Sequence, residues 1–404
     1  MRFQRDFERF FEPHRALPVR IPIGPRQCGK TSLGQRLSRS GHPGPLLDLF
    51  LDDTQTRALA DREPALALGP ELRPTLIDEI QEAPGLLAEL KLRIDRARRA
   101  GSTIPPIWVT GSNATQLDRA AKETLSGRAN YFRLHTLSAA ELQRAGIASR
   151  ELFTRGGWPE LYARPELDRV RYLDDHVRTF IEKDVAATAG IAKLREFRTF
   201  LGLLAARSGQ LLNTSEIGQQ AGIKGSTVQE WISLLAENGV VAFVQPYASN
   251  LNKRLVRTPK VFFVDVGVVT RLQGWRSLEP LLVSPQMGPL FETAVFAELV
   301  RCRDHRLLGI EIFLWRTRDG QELDFLVRLE TSHRGPLWIP IEAKLGGHAA
   351  LGAAIPPGLL KTVQPLEPML LVTLDGERRP LPGGRFQVPL SLLADELTAI
   401  AASS

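Results

Sequence analysis

Gly24-Pro25-Arg26-Gln27-Cys28-Gly29-Lys30-Thr31 satisfies G-x-x-x-x-G-K-[ST] at every required position. Its glycines let the backbone curl, so that successive N–H groups point at phosphate oxygens. The TSLGQRLSRS that follows carries a helical pattern, and a helix beginning there adds its positive end. Lys30 would reach the β- and γ-phosphates of a nucleotide, and the Thr31 hydroxyl would join a Mg²⁺ shell. The expected nucleotide-binding run is therefore Gly24, Pro25, Arg26, Gln27, Cys28, Gly29, Lys30, Thr31 and Ser32. Cys28 reads as a small packing residue inside the loop. Before the loop, VRIPI reads as the strand, and its Pro22 is unwelcome in a central parallel strand. That proline is expected among the strand's last residues.

Outward from the loop, residues 15 to 135 alternate short apolar runs with helical patterns, the mark of an α/β unit. The runs end at Ile23, Leu51, Ile77 and Thr110. Leu86, Leu90 and Ile94 fall on one helical stripe, with Lys91, Arg93, Arg96, Arg98 and Arg99 around it. Leu76-Ile77-Asp78-Glu79 is an apolar strand ending in an acidic pair, forty-eight residues after Lys30 at Asp78. Asp78 would hold Mg²⁺ through water, and Glu79 would orient or deprotonate the attacking water. Trp108 to Asn113 is a third strand ending in polar groups, where Asn113 or Ser112 could sense the γ-phosphate. Arg128 is a candidate arginine finger or sensor; a surface salt bridge is the equal alternative.

The 404 residues call for two to four domains. With 43% hydrophobic and 24% charged residues, disorder is not expected to dominate. No apolar run approaches a membrane span, and MRFQRDFERFF lacks an apolar signal core, so the expected location is the cytoplasm. A net charge of +7 and a pI near 9.6 permit nucleic-acid binding without demanding it. Cys28 and Cys302, far apart and without neighbouring His or Cys, indicate neither a disulfide scaffold nor a zinc site.

Residues 136 to 205 read as mostly helical, with Val177, Phe180 and Ile181 on one face. LNTSEIGQQAGIKGSTVQEWISLLAENGVV then holds two helical patterns joined by a glycine-containing turn. Apolar runs at Val240 to Val244 and Val261 to Val264 follow. That is the order of a winged helix over residues 206 to 275. Lys224, Ser226, Thr227, Gln229 and Glu230 would face outward on the second helix, and Lys253, Arg254 and Arg257 would sit in the wing. Packing against another domain or subunit is the alternative. The Gly274 to Pro289 stretch reads as a linker. Beyond it, LFETAVFAELVRC precedes strand-like runs at Ile312 to Trp315, Leu323 to Val327, Trp338 to Ile341 and Met369 to Thr373, a second α/β domain.

Within that domain Asp324 and Glu342 lie eighteen residues apart, and Glu342 and Lys344 share a strand face. A neighbouring strand could bring Asp324 beside them. Two carboxylates and a lysine make a Mg²⁺ site for phosphodiester hydrolysis: the carboxylates hold the metal, and Lys344 orients water or offsets charge. Glu292, on the preceding helix, could complete the set. A solvated strand end is the bland alternative.

GPRQCGKTSL, LIDEIQEAPGLLAELKLRID, VTGSNATQL, TLSGRA, RGGWPEL and VRTFIEKDV together resemble a prokaryotic AAA-type (AAA+) ATPase family. Its members commonly carry a C-terminal domain of unknown function related to PD-(D/E)XK nucleases, which NKRLVRTPKVFFVDVGV, PLFETAVFAEL, FLWRTRDGQELDFLV and IPIEAK resemble. The resemblance implies an α/β fold with a P-loop AAA+ parallel-sheet core at 1–135, a helical lid at 136–205, a winged-helix module at 206–275 and a PD-(D/E)XK-like domain at 285–404. By position, Lys30, Thr31, Asp78 and Glu79 take the nucleotide roles, and Glu292, Asp324, Glu342 and Lys344 the nuclease-type roles. Pro22 replaces an apolar residue of the family and Cys28 a valine; neither removes a chemical group.

The expected function is ATP binding and hydrolysis with Mg²⁺, coupled to action on nucleic acid. DNA is the expected partner, with RNA left open, and the subunits would form a homo-oligomer, a hexameric ring being one arrangement. The alternatives are a nucleotide-gated Mg²⁺-dependent nuclease and a non-catalytic nucleotide switch or regulator. A small-molecule kinase would leave the two extra domains unexplained.

Overall fold

The computed structural model describes residues 3–12, 16–39, 45–111, 124–179, 181, 193–248, 258–317, 320–331, 335–346, 354–364 and 366–403. The chain divides into two compact units, Arg5–His135 and Thr136–Ser404, the latter joined by the first four residues. Among the described residues no helix is long and apolar enough to cross a membrane.

In Arg5–His135 the strands are β1 (Val19–Ile23), β2 (Leu47–Phe50), β3 (Thr75–Asp78), β4 (Ile107–Val109) and β5 (Ala129–Arg133). They form a parallel sheet in the order β2-β3-β4-β1-β5. Helices α1 (Asp6–Phe10), α2 (Lys30–Arg39), α3 (Thr54–Arg62), α4 (Pro64–Ala67) and α5 (Gly85–Arg99) accompany it. Strand residues alternate between two covered faces, as a parallel sheet requires. Ile77, Ile107 and Val109 join Leu86, Leu90 and Ile94 of α5 in one cluster. Leu76 and Trp108 join Phe7, Phe11 and Leu33 in another.

Pro22 is accommodated by register. Val19 N–H donates to Arg128 O and Leu134 N–H to Ile23 O, so the odd residues of β1 bond towards β5. Arg20 and Pro22 therefore face β4, and the β1–β4 ladder ends at Arg20↔Trp108. The missing proline N–H falls past the last pair and removes no bond of that ladder.

Thr136–Ser404 opens with helices α6 (Ala139–Arg144), α7 (Leu152–Arg155), α8 (Pro159–Ala163), α9 (Arg169–His176) and α10 (Leu194–Ala205). Val177 and Ile181 are buried as expected from their spacing; the side chain of Phe180 lies outside the described residues. Next come α11 (Thr214–Ala221) and α12 (Gly225–Glu237), joined through Gly222 at φ 70°, a left-handed cap that glycine adopts freely. Strands β6 (Gln210–Leu211), β7 (Val241–Pro246) and β8 (Lys260–Phe263) complete this part.

The stretch read as a linker carries α13 (Val266–Leu272) into α14 (Leu278–Leu282), with Leu281 buried, before α15 (Met287–His305). The remaining strands are β9 (Ile310–Arg316), β10 (Glu322–Leu329), β11 (Leu337–Ala343), β12 (Met369–Thr373), β13 (Arg379–Leu381) and β14 (Arg385–Pro389), followed by α16 (Pro357–Leu360) between β11 and β12, and by α17 (Leu393–Ser403) at the end. Strands β6 to β14 share one sheet, in the order β13-β14-β12-β11-β10-β9-β7-β8-β6. The join is parallel pairing of Gln245 with Phe313 and Pro246 with Leu314.

A buried polar knot fixes this unit. Asp265 Oδ1 accepts the N–H groups of Gly267 (3.0 Å) and Val268 (3.2 Å) and so caps α13. Its Oδ2 accepts Thr136 Oγ1 at 2.7 Å, Gly157 N–H at 3.0 Å and the Arg301 guanidinium at 3.3 Å. Arg301 also donates to Thr136 O and Oγ1. The paired glycines of RGGWPEL are explained here: a Cβ on Gly156 would lie 2.2 Å from Asp265 Oδ1, and one on Gly157 2.3 Å from Leu137 O.

Candidate functional site

The phosphate loop lies between β1 and α2. Gln27 (φ 63°) and Gly29 (φ 100°) both adopt the left-handed region, which curls the loop. Gly24 has no room for a side chain, because a Cβ there would lie 2.0 Å from Leu134 O. Cys28 is a buried thiol whose Sγ contacts Leu134 O at 3.4 Å, the packing residue its size suggested. The Lys30 ammonium donates to the carbonyls of Gly24 (3.0 Å) and Pro25 (2.9 Å), holding its charge over the loop.

Parallel pairing brings the acidic strand to the loop's side. Thr31 Oγ1 donates to Asp78 at 3.0 Å, and Thr110 Oγ1, at the end of β4, donates to the same carboxylate. Burial holds Asp78 above the usual carboxylate range, opposed by the hydroxyls of Thr110 and Thr31 and by the Lys30 charge. A hydroxyl and a carboxylate converging beside an ammonium are the donor set that Mg²⁺ and a nucleotide phosphate require, so the residues fit. Glu79 sits at φ 59°, uncommon for a non-glycine residue, and its carboxylate accepts from Gln81.

Asn113 and Ser112 lie outside the described residues. Arg128 makes a two-pronged ion pair with Asp95 of α5, Nε to Oδ1 at 2.7 Å and a terminal nitrogen to Oδ2 at 2.8 Å. Its guanidinium is thus held by a partly exposed ion pair within Arg5–His135. Thr110 was missed; its position two residues after Trp108 on an apolar run was the available signal.

A second cluster lies on the large sheet. Continuing the register Phe325↔Ile341 by one residue sets Asp324 opposite Glu342. Asp324 Oδ2 accepts Ala343 N–H at 2.8 Å, and Asp324 N–H reaches Glu342 Oε2 at 3.4 Å. Lys344 Nζ binds Glu342 Oε1 at 2.7 Å. Glu292 of α15 is engaged by Lys260 Nζ at 2.8 Å, and the same ammonium meets Glu322 at 3.0 Å. Burial and the Asp324 charge push Glu292 up to about 7, with Lys260 opposing. Burial and the Glu342 charge push Asp324 up to about 6.

The four expected residues are therefore brought together, with Lys260 as a fifth that spacing did not disclose. Among the described residues no three His, Cys, Asp or Glu side chains converge on one metal position. Asp324 and Glu342 alone fit Mg²⁺ in the way that ion is usually held, by one or two carboxylates with water and phosphate supplying the rest.

On α12, Ser226, Gln229 and Glu230 are exposed, Lys224 at its N-cap is exposed, and Thr227 is half-buried. Lys253, Arg254 and Arg257 lie outside the described residues.

Residues 18–143 match the AAA domain family, 148–279 a domain of unknown function (DUF8612), and 287–393 another (DUF4143). Over 317 residues the chain is 31% identical to uncharacterized proteins of Mycobacterium tuberculosis and Mycobacterium bovis, covering 78% of this chain and 68% of each of theirs. An uncharacterized protein of Haemophilus influenzae is 26% identical over 269 residues, 63% of this chain and 62% of its own. Among solved structures, the Aeropyrum pernix ORC2 protein in its ADP form aligns at 13% identity and a TM-score of 0.27, covering 56% of this chain and 81% of that one. The ORC1 protein of the same organism in complex with DNA aligns at 13% identity and 0.23, covering 68% and 90%. At these scores the two structural likenesses carry no argument.

Proposed function

Since the chain belongs to the same family as these mycobacterial proteins and carries an AAA domain, we propose that it binds and hydrolyses ATP and couples turnover to action on DNA. The observation that carries this reading is the meeting of Lys30, Thr31 and Asp78 at the loop, with Thr31 Oγ1 at 3.0 Å from Asp78. The loop amides and Lys30 bind the phosphates. Thr31 and Asp78 hold Mg²⁺, which when bound neutralises charge on the phosphates. Glu79 orients the attacking water and takes its proton. In this reading 136–205 is the lid, and α11 and α12 with the β7–β8 hairpin form the winged helix whose exposed face meets DNA. In this reading the subunits act as a homo-oligomer.

The test is ATP hydrolysis with Mg²⁺, with and without single- and double-stranded DNA, with Lys30→Ala as control. A Lys30-dependent rate that DNA raises is expected. Turnover that survives Lys30→Ala would sink the ATPase reading, and a rate indifferent to DNA would sink the coupling.

The Asp324, Glu342, Lys344 and Glu292 cluster favours a second reading, a Mg²⁺-dependent nuclease gated by nucleotide. Asp324 and Glu342 would hold the metal, which activates water when bound, while Lys344 offsets charge on the phosphodiester. Incubating supercoiled, linear and single-stranded DNA with Mg²⁺ or Mn²⁺ tests it. Cleavage must disappear in Asp324→Ala.

A further inference from the structure

Ahead of α1, Arg5 is almost wholly buried, at 3% exposure. One of its terminal nitrogens donates to Cys28 O at 2.8 Å and the other to His135 O at 2.7 Å. The arm that carries it is anchored on both sides. Phe7 and Phe11 pack with Cys28, Leu33 and Leu134, and Glu8 binds the guanidinium of Arg36 on α2.

The Cys28 carbonyl and the Gly29 N–H belong to one planar trans peptide and point in opposite directions. Gly29 is at φ 100° and lacks a Cβ, so the local chain does little to choose between orientations of that peptide. A buried guanidinium on the carbonyl makes the choice. It turns the Gly29 N–H the other way, as a phosphate cradle needs. A charge-assisted bond also polarises the peptide and strengthens the N–H as a donor. Arg5 spans two carbonyls at once, from the loop and from the chain leaving β5. A lysine, with a point charge on a flexible stem, does not reproduce that fork.

We propose that Arg5 is a positioning residue of the phosphate loop, fixing the Cys28–Gly29 peptide with its amide aimed at the phosphates of a nucleoside polyphosphate. The proposal rests on the reading of the loop as a nucleotide site. The experiment uses the full chain as wild type, Arg5→Ala, Arg5→Lys and Lys30→Ala. Calorimetry gives the Kd for ADP and for inorganic pyrophosphate, which probes the cradle without adenine, and each protein is melted without ligand.

The expected result is a loss of about ten- to a hundredfold in Arg5→Ala, equal for ADP and pyrophosphate, with a smaller loss in Arg5→Lys; the ligand-free melting temperature of Arg5→Ala falls too, because two buried carbonyls lose their donor. Wild-type affinity in Arg5→Ala, or a loss for ADP without one for pyrophosphate, overturns the role of Arg5 while leaving the loop reading intact. If Arg5→Ala does not fold, Arg5→Lys decides: unchanged affinity there overturns the proposal. If wild type binds neither ligand, or Lys30→Ala binds like wild type, the loop reading falls and the proposal with it.

Discussion

Asp265→Asn removes one charge and one hydrogen-bond acceptor from the knot. Asparagine keeps an acceptor for the α13 N–H groups, but its NH₂ replaces the oxygen that now accepts from Gly157 N–H, Thr136 Oγ1 and Arg301. Donors then face a donor, and Arg301, 3% exposed, is left without that carboxylate. Breaking a buried pair on one side costs about 3–5 kcal/mol, against a total stability on the order of 5–15 kcal/mol for a domain. Urea unfolding followed by tryptophan fluorescence is a suitable assay, because Trp158 is buried directly beside Gly157. Arg301→Met should show a comparable loss, and the double variant should lose less than the two together by about 2 kcal/mol. A loss below about 1 kcal/mol in Asp265→Asn, or simple addition in the double variant, would refute the reasoning.

Three further outcomes are expected. Glu292 is held up to about 7 and Asp324 to about 6, so the folded chain keeps protons that the unfolded chain gives up nearer pH 4; their contribution to stability is full below that and is lost as pH rises towards 7. Glu292→Gln, which mimics the protonated form, should therefore raise the urea midpoint at pH 8 by an amount worth on the order of 2–3 kcal/mol and leave it unchanged at pH 4, measured in EDTA. Gly24→Ala places a Cβ 2.0 Å from Leu134 O, so the loop must shift, and calorimetry should show ADP affinity falling about tenfold or more. Thr110→Val removes a hydroxyl from Asp78, and steady-state hydrolysis should need about tenfold more Mg²⁺ for half its maximal rate.

What could be read from the sequence was local. The loop motif announced its own chemistry, and the Leu86, Leu90 and Ile94 stripe announced the buried face of α5. Strands β9 to β12 were visible as apolar runs to within two residues, because buried strands carry few polar interruptions. The pairing of Asp324 with Glu342 was also foreseeable, since opposed residues on adjacent strands share a face. What was hidden depended on partners distant in sequence. Arg5 looks like any residue of a charged N-terminus until Cys28 O and His135 O are placed beside it. Lys260, just ahead of the apolar run Val261 to Val264, carries no sign of its role until Glu292 and Glu322 close on it. Asp265 caps α13 in the structure, and nothing beside it in the sequence discloses Arg301. The Gly274–Pro289 stretch misled for a related reason: its prolines and glycines punctuate short helices rather than free chain.

The continuity of the β6–β14 sheet bears on how this protein can be divided, by experiment or by evolution. The two matched families of unknown function meet between residues 279 and 287, yet strands from both sides of that seam are hydrogen-bonded to each other. Expressing residues 285–404 alone would strip β9 of its neighbour β7 and expose an apolar edge, an invitation to aggregate. It would also remove Lys260 from the acidic cluster, so such a fragment would report on a different site. A replacement for either half would have to offer a strand edge in the register of Gln245 with Phe313.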